Sequence, residues 1–492
     1  MAGLVEVERR PTAGALRDRQ GATVGTDRAK ARARLVVYSA VLVYAGLFCA
    51  AAAVVYLAYM GTRLDLGNMV QAVWSTAHGR FLVGTTAGGH ELSWLGAHVD
   101  PFLALFVPLW WVWPSPLMLL VVQAIAVSTG ALPVYWLARK HTGSERAAAH
   151  LAFAYLLYPA TQFNTFTAGV GTHAVSFAVP LILFAIWFLD NDRLLPFAAL
   201  ALLAASTKEE IPLAVGFLGI WYGARSGRRA VGATIFALGL AGTLVDVLVI
   251  IPHFSATGVS PFAGRYAQVG GTPGGMLHTL ASHPLAFVET VATLHKLAFV
   301  ALLFVPFLGL WLREPLLLLG AVPDLSVDLL SSKPEQTTIF YQYTAGILPF
   351  LFAAVALGAA RSRRDPGRVS FYVLLASASL AILSPLVAAA GDVPLARSSN
   401  PARAAKAHAL ALVPAGAPVS ASERLAGYLS ARRYIYLFPH VGDASWIVVD
   451  RNDDTYRNTR AYRRAVARTS ADPAWRSVYA SQGVQVLRRS TR

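Results

Sequence analysis

Long uninterrupted stretches of apolar residues constrain the fold of this chain more than any other feature. The first runs from 35 to 60 and exceeds the roughly 20 apolar residues that an α-helix needs to cross a bilayer. Because 55% of the 492 residues are hydrophobic and only 14% are charged, the chain is too apolar for a soluble protein, and we predict an all-α membrane protein. Further apolar segments lie at about 102–113, 115–138, 147–160, 172–189, 194–206, 211–223, 230–251, 296–312, 314–330, 343–360 and 370–390.

The lengths of these segments bound the number of membrane crossings. The segments 102–113, 194–206 and 211–223 are too short for a helix that crosses the bilayer perpendicularly. We therefore expect half-buried, broken or re-entrant elements there. The sequence predicts a polytopic bundle of about nine to twelve spans.

The chain has a formal net charge of +16, and clusters of its basic residues lie at the ends of the apolar segments. If these clusters all face the cytoplasm, the positive-inside rule is satisfied throughout, with the N-terminus inside. This distribution argues against nucleic acid as a partner and makes the lipid bilayer the expected partner. The clusters are Arg9, Arg10, Arg17, Arg19, Arg28, Lys30, Arg32 and Arg34, then Arg139, Lys140 and Arg146, then Arg225, Arg228 and Arg229, and then Arg361, Arg363, Arg364 and Arg368.

Changes in composition divide the chain into three parts. Residues 1–34, rich in Gly, Ala, Thr and Arg, are predicted to be a disordered cytoplasmic arm. Residues 35–390 are predicted to form the membrane domain, with a first outer loop at 61–101. Residues 391–492 are charged and contain no spanning run, so we predict a small soluble α/β domain on the extracytoplasmic face.

An acid stands at the membrane edge in the stretch RLDLGNMVQAVWSTAHGR, which follows the first apolar run. After it, apolar residues recur at Leu66, Met69, Val70 and Val73, the spacing of a helix with one apolar face that would lie along the membrane surface. Asp65 is then the N-cap of this helix, a catalytic base or metal ligand held at the membrane edge, or both together.

Further polar residues stand at the predicted outer edges of the bundle. His98 and Asp100 follow in the same loop, where Asp100 before a proline is also a candidate N-cap. Lys208 and Glu209, in TKEE, interrupt two short apolar segments, and charges at membrane depth are costly unless they have a function. Lys208 is therefore a candidate phosphate ligand, and a solvated tight turn is the alternative.

Three more candidates come from other predicted outer loops. His173 begins a span, Tyr341 lies at another outer edge, and Arg265 is the clear phosphate-binding candidate of the flexible loop 252–295. An interfacial cap is the alternative for His173, and membership of the aromatic belt is the alternative for Tyr341. The histidines lack a fixed ligand spacing and Cys49 is the only cysteine, so we predict no metal site, although a divalent cation at the acidic loop stays open.

Taken together, several motifs resemble those of a bacterial family of predicted multi-spanning membrane proteins. That family is a domain of unknown function that is grouped with the GT-C superfamily of glycosyltransferases. The resemblance covers roughly residues 35–490. It departs from the family pattern at Val70, where an acid often stands, and at Gly171 and Thr172, which lack an acid before the histidine. The motifs are LDLGNMVQAVWSTAHG, HVDPFLALFVPLWWVWPSPLMLLVVQAIAVSTGALPVYWLAR, TKEE, RRYIYLFP and ASWIVVD.

The resemblance implies a GT-C-like fold in the bacterial cytoplasmic membrane. It further implies transfer of a sugar from a polyprenyl-phosphate donor to a glycan or protein acceptor of the cell envelope. Asp65 matches the acid that deprotonates or orients the acceptor hydroxyl, with Asp100 or His98 assisting. Lys208 and Glu209 match the family's Lys-Glu run, and Lys208 and Arg265 are the expected phosphate ligands.

Two other functions stay open at this point. A transporter or flippase of a lipid-linked or amphipathic solute would have charges distributed along a path through the bilayer, often with an internal repeat. A non-catalytic envelope assembly protein would use its outer domain to bind partners.

Overall fold

The computed structural model describes residues 13–86, 89–167 and 171–490. Its secondary structure is mostly helical, as the apolar segments predict, and its strands are confined to a short hairpin and to the last part of the chain. The α-helices are α1 (Ala13–Leu57), α2 (Asn68–Ala77), α3 (Val107–Val112), α4 (Pro116–Ser128), α5 (Ala131–Thr142), α6 (Glu145–Leu157), α7 (Pro159–Thr165), α8 (Ala178–Asp190), α9 (Leu194–Ala205), α10 (Ile211–Ser226), α11 (Arg229–Val245), α12 (Ile251–Phe254), α13 (Pro273–Ser282), α14 (Leu285–Val291), α15 (Leu294–Phe304), α16 (Pro315–Leu318), α17 (Val322–Leu330), α18 (Leu348–Ala360), α19 (Pro366–Leu380), α20 (Pro385–Gly391), α21 (Val393–Ala396), α22 (Pro401–Ala411), α23 (Glu423–Tyr428) and α24 (Thr459–Ala471). The strands are β1 (Val83–Thr85), β2 (Glu91–Ser93), β3 (Val419–Ala421), β4 (Ile435–Leu437), β5 (Trp446–Asp450), β6 (Trp475–Ser481) and β7 (Val484–Arg489).

Several helices have the length and composition of membrane spans, so the predicted all-α membrane bundle is confirmed. Leu285–Val291 and Leu294–Phe307 are long and apolar enough for a membrane span only when taken together, and the pair is bent by 66°. The length of the shorter apolar helices does not determine whether each of them crosses the membrane. The number of nine to twelve spans therefore stays a prediction. Over the part of the chain that the structure describes, four helical stretches are each long and apolar enough to cross a membrane: Lys30–Leu57, Pro116–Thr142, Arg229–Phe254 and Pro366–Ala396. The shorter apolar helices are Pro101–Val112, Ala174–Asp190, Leu194–Ala205 and Leu348–Ala360.

Helix α18 lies at the centre of the bundle. Every residue from 348 to 359 is buried, because the helix is apolar on all sides and so finds neighbours on all sides. The largest set of buried apolar residues is continuous through this helix and its neighbours. A single hydrophobic core therefore supports the ends of the helices at which the polar residues lie.

Charged residues occupy the two opposite ends of α10. Lys208 precedes this 16-residue helix and Arg225 ends it, a separation of about 24 Å at the usual rise per residue. At the Arg225 end, the Asp190 carboxylate lies 2.7 Å from the Lys140 ammonium and 2.8 Å from the His141 ring. Between the two ends α10 carries no charged residue. The charges thus form two layers rather than a continuous path.

The residues after 400 form the predicted α/β domain, hereafter the C-terminal domain (401–490). Its five-stranded sheet has the order β4-β3-β5-β7-β6, with β3 parallel to both β4 and β5 and with β7 antiparallel to β5 and β6. Helices α22 and α23 cover one face, and α24 covers the other. The stretch APVSASERLAGYLSARRYIYLFP contains β3, α23 and β4, and ASWIVVD contains β5, which agrees with the predicted alternation of short strands and helix.

The C-terminal domain packs directly on the loop 61–101. The Tyr428 hydroxyl donates to the Tyr56 carbonyl and accepts from the Gly61 amide, at 2.9 and 3.2 Å. The Gln71 amide group donates to the Arg433 carbonyl at 2.9 Å, and the Arg433 guanidinium binds the Glu91 carboxylate at 3.0 Å. The last part of the chain is therefore fixed to the first loop.

Two predicted segments differ in the structure. Helix α1 begins at Ala13, inside the arm 1–34 for which the sequence predicts disorder, and residues 1–12 lie outside the described residues. The predicted flexible loop 252–295 contains α13 and α14. Its GGTPGG stretch starts α13, because the Thr272 hydroxyl accepts from the Gly275 amide and Pro273 occupies the first turn.

Candidate functional site

A cavity of about 890 Å³ lies where α2, α10, α17 and the segment 258–276 meet. Its lining combines apolar side chains with acids, histidines and three cationic side chains, a composition typical of a site for a ligand with both a polar and an apolar part. The cavity adjoins the charged layer at the Lys208 end of α10, so it lies at one end of the bundle.

Asp65 reaches this cavity from a single π-helical turn, Arg63–Gly67, that joins the first span to α2. The Gly67 amide donates to the Thr62 carbonyl five residues earlier, at 3.0 Å, which is the hydrogen bond of a π-turn. Asp65 is thus inside the turn and caps no helix, so the N-cap interpretation is wrong. Its carboxylate instead accepts from the Thr62 hydroxyl at 3.2 Å and remains about one-third exposed, facing the cavity.

His173 holds the other oxygen of this carboxylate. Its Nε2 lies 3.2 Å from Asp65 Oδ1, and its backbone amide donates to the Gln123 side chain at 2.9 Å. A proton on Nε2 would hydrogen-bond the carboxylate, whichever charge state the ring has. The ring therefore orients Asp65 toward the cavity.

Arg63 stabilises the π-turn that carries Asp65. Its guanidinium is buried and donates to Gln71 Oε1 at 2.8 Å, to the Thr85 carbonyl at 2.9 Å and to the Asn68 side chain. Burial lowers the pKa of Arg63 to about 10, an effect that the nearby Glu423 carboxylate opposes. Glu423, at the start of α23, also accepts from the Leu64 amide at 2.9 Å. Arg63 and Leu64, the two residues before Asp65, are therefore both hydrogen-bonded to buried polar groups.

His98, Asp100 and Glu209 form a second polar group on the cavity wall. Glu209 accepts from the Val99 amide and lies against His98 Nδ1, both at 3.1 Å. Although burial acts in the opposite direction, His98 and Lys208 lower the pKa of Glu209 to about 2.

Asp100 has a different environment beside this pair. Burial raises its pKa to about 7, and its one hydrogen bond to another side chain comes from the Trp94 indole at 2.9 Å. It precedes the 3₁₀ helix Pro101–Phe106 as an N-cap would, but its side chain makes no capping hydrogen bond. Within the described residues its Oδ1 is buried with no hydrogen-bond partner.

Lys208 lies in a tight turn between α9 and α10, but the turn is buried. The ammonium forms an ion pair with Glu210, and Asp324 on α17 is close enough to interact electrostatically. Burial alone would lower the pKa of Lys208, but Glu210, Asp324 and Glu209 hold it well above its usual value. Lys208 is therefore a buried, ion-paired residue at the cavity wall, and the solvated-turn alternative is wrong.

Arg265 and Lys333 supply the other cations of the cavity. The Arg265 guanidinium donates to Gln336 Oε1 at 3.3 Å and lies over the Phe262 ring, 4.1 Å from its centroid. The Lys333 ammonium donates to the Tyr343 hydroxyl at 3.4 Å. Together with Lys208, these groups could bind an anionic headgroup within the cavity.

The residues that the sequence predicts for the site lie together, with one exception. Asp65, His98, Asp100, His173, Lys208, Glu209 and Arg265 all line the cavity, although they are up to 200 positions apart. Tyr341 does not line it, but its neighbours Gln342 and Tyr343 do. Burial raises the pKa of Tyr341, as do the charges of Glu335 and Asp65, so its ring lies near the site.

Sequence reasoning missed Lys333 and the buried acids of α17. Lys333 stands in an ordinary polar loop, which gives no signal. Asp324 and Asp328 are four residues apart in the apolar helix VPDLSVDLL, and such acids are a recognisable sign of function or of buried partners. The Asp324 carboxylate accepts from the Gly346 amide at 2.8 Å. No three His, Cys, Asp or Glu side chains are arranged to hold a metal ion among residues 13–86, 89–167 and 171–490.

Comparisons with known proteins agree with this architecture. The model of a family described as "Predicted membrane protein (DUF2079)" matches residues 57–486. A crystal structure of ArnT from Cupriavidus metallidurans bound to undecaprenyl phosphate is 13% identical, with a TM-score of 0.51 over 92% of this chain and 97% of that one. The apo structure of ArnT is 16% identical, with a TM-score of 0.49 over 91% and 98%. ArnT is a GT-C glycosyltransferase, and at this identity the likeness shows the fold alone. No curated protein matches the sequence.

Proposed function

Since the chain belongs to the DUF2079 family of predicted membrane proteins and has a GT-C-like fold, we propose that it is a membrane glycosyltransferase. It moves a sugar from a polyprenyl-phosphate donor to an acceptor of the cell envelope. The observation that carries this proposal is the position of Asp65, a carboxylate that faces a large cavity whose walls also present Lys208, Arg265 and Lys333.

The donor supplies its own leaving group. When the acceptor hydroxyl oxygen forms a bond to the anomeric carbon, the bond from that carbon to the phosphate oxygen breaks, and its electron pair leaves on the polyprenyl phosphate. Asp65 accepts the hydroxyl proton, and His173 keeps its carboxylate in position. The three cationic side chains stabilise the negative charge that develops on the phosphate.

The ligand in the ArnT structure, undecaprenyl phosphate, has the chemistry that this cavity fits. A polyprenyl phosphate combines a long apolar chain with one anionic group. Apolar residues such as Val247, Leu248 and Ile251 line the same cavity as the cationic residues. The cavity therefore matches the amphipathic character of such a donor.

The acceptor has a separate space. A second cavity of about 320 Å³ shares Leu64, Asn68 and Trp94 with the first, so the two spaces meet beside Asp65. Strand β4 of the C-terminal domain forms part of its wall. An acceptor that entered here would lie next to Leu64, the residue before Asp65.

The predicted orientation and location complete the proposal. We propose that the Arg225 end of α10 faces the cytoplasm of a bacterium, since its basic clusters would then follow the positive-inside rule, and that the cavity and the C-terminal domain lie on the outer face of the inner membrane. The transporter alternative requires charges along a path, whereas α10 has none between its two ends.

The first experiment is a mass-spectrometric profile of envelope glycans and polyprenyl-phosphate sugars in a deletion strain. The strain is complemented with the wild type, with Asp65→Asn, or with Asp443→Asn at an exposed acid of the C-terminal domain as the matched control. We expect deletion to remove one glycan and to raise its lipid-linked donor, and only the wild type and the control to restore both. If Asp65→Asn restores the profile fully, Asp65 is not the base. If deletion changes neither pool, the glycosyltransferase proposal is wrong.

A further inference from the structure

The exposed face of α24 in the C-terminal domain is strongly basic. Thr459–Ala471 has the sequence TRAYRRAVARTSA, which contains no acid. Arg460, Arg464 and Arg468 follow one another at intervals of four residues, and all three are exposed. Consecutive guanidinium groups are therefore about 6 Å apart along the helix axis.

The opposite face of the helix explains its orientation. Tyr462 and Val466 are buried against the sheet, and the Tyr462 hydroxyl donates to the Asp450 carbonyl at 2.6 Å. The Tyr462 ring also stacks on Tyr456, with 4.0 Å between the ring centroids. The arginines consequently point away from the domain.

This charge pattern opposes the stability of the helix. Like charges at i and i+4 repel one another, and Arg460 in the first turn interacts unfavourably with the positive end of the helix dipole. No arginine of α24 forms an ion pair within the described ranges. Arg468, in the last turn, interacts favourably with the dipole, but α24 has no acid that would offset the repulsion along the row of arginines, and such a row is typical of a surface that serves binding.

We propose that this arginine face binds an anionic polymer of the cell envelope whose phosphate or carboxylate groups repeat along the chain. Guanidinium groups bind both kinds of anion with two parallel hydrogen bonds. Insertion into a membrane surface is not favoured, because the exposed positions of α24 besides arginine are alanines such as Ala461 and Ala467, which provide no large apolar group. The proposal is independent of the glycosyltransferase proposal.

The test uses the full-length protein in nanodiscs of phosphatidylcholine. Binding of fluorescent long-chain inorganic polyphosphate and of polygalacturonate is measured for the wild type and for R460Q/R464Q/R468Q. The control variant R363Q/R364Q/R368Q removes the same number of exposed charges, two from the connection between α18 and α19 and one from the first turn of α19. Thermal unfolding of each variant checks that it is folded.

We expect the α24 variant to bind at least one polymer about 10-fold more weakly near 0.1 M salt, with a dependence of log K on log salt that is shallower by about 2. The control should change by less than about 2-fold. Loss with polyphosphate alone or with polygalacturonate alone identifies the anion. Equal affinities of the two variants would overturn the proposal. So would unchanged polymer binding together with a loss, in the α24 variant only, of binding to phosphatidylglycerol vesicles, since that result assigns the surface to lipid.

Discussion

Gly171 determines whether Asp65 and His173 can meet. It has a φ of +154° and lies against the backbone of Leu66, the residue after Asp65. In Gly171→Ala the new Cβ would lie 2.4 Å from the Leu66 nitrogen and 2.8 Å from its Cα. Both contacts are to backbone, so no flexible side chain can move away to relieve them.

The size of the effect follows from these distances. An ordinary contact begins near 3.4 Å, so the turn that carries Asp65 must move by about 1 Å. A misplacement of about 1 Å in a catalytic group can lower a rate about 100-fold. The positive φ adds a strain of about 1–3 kcal/mol, which should also lower the unfolding temperature. We therefore expect Gly171→Ala to retain about 1% of the transfer rate.

The assay is the initial rate at which membranes of the complemented deletion strain transfer sugar from the lipid-linked donor to the envelope acceptor. Gly46→Ala in α1 is the matched control, since its Cβ would meet nothing within 4 Å. Binding of undecaprenyl phosphate by the purified variants distinguishes two causes of a lower rate. Binding is kept if only Asp65 is misplaced, and it is lost if the cavity has collapsed. A Gly171→Ala protein with normal stability, normal lipid binding and a full transfer rate would refute the positional role of the turn.

Three further predictions concern the walls of the site. Asp100 has a raised pKa of about 7, so the folded state binds the extra proton and the wild type loses stability as pH rises from about 4 to 7. Asp100→Asn should lack this loss and be more stable than the wild type at pH 8 by up to about 4 kcal/mol. Thermal unfolding of both proteins at pH 4 and pH 8 measures the difference, and a variant that is less stable than the wild type at pH 8 would contradict the prediction. Glu423→Ala removes the acceptor of the Leu64 amide and should lower the transfer rate without changing undecaprenyl phosphate affinity, whereas Glu423→Gln keeps an acceptor oxygen and should retain most activity. An equal effect of the two Glu423 variants would show that charge matters more than the hydrogen bond. Arg265→Gln should weaken undecaprenyl phosphate binding about 10-fold, and an unchanged Kd would remove Arg265 from the phosphate site.

The features that depend on local pattern were predictable from the sequence. The apolar residues with helical spacing, Leu66 in the π-turn and Met69, Val70 and Val73 in α2, are all buried. The charged stretch TKEE lies between two helices because its polar residues interrupt two apolar runs. Resemblance to a family then indicated which of the scattered polar residues share one site.

The features that depend on distant contacts were not predictable. A carboxylate before an amphipathic helix has the pattern of an N-cap, yet Asp65 lies inside a π-turn. That turn is held by Glu423, by Gly171 and by the buried Arg63, and two of these residues are more than 100 positions away. Lys333 was missed for the same reason, since only the fold brings its loop to the cavity.

The contact between the C-terminal domain and the loop 61–101 has a consequence for the biosynthesis of the protein. The loop leaves the ribosome early, but Glu423 and Tyr428, which hold it, follow more than 350 residues later. The bundle can therefore insert into the membrane before the turn that carries Asp65 is fixed. If that turn is catalytic, as proposed, the nascent chain stays inactive until α23 has been translated and has packed on it.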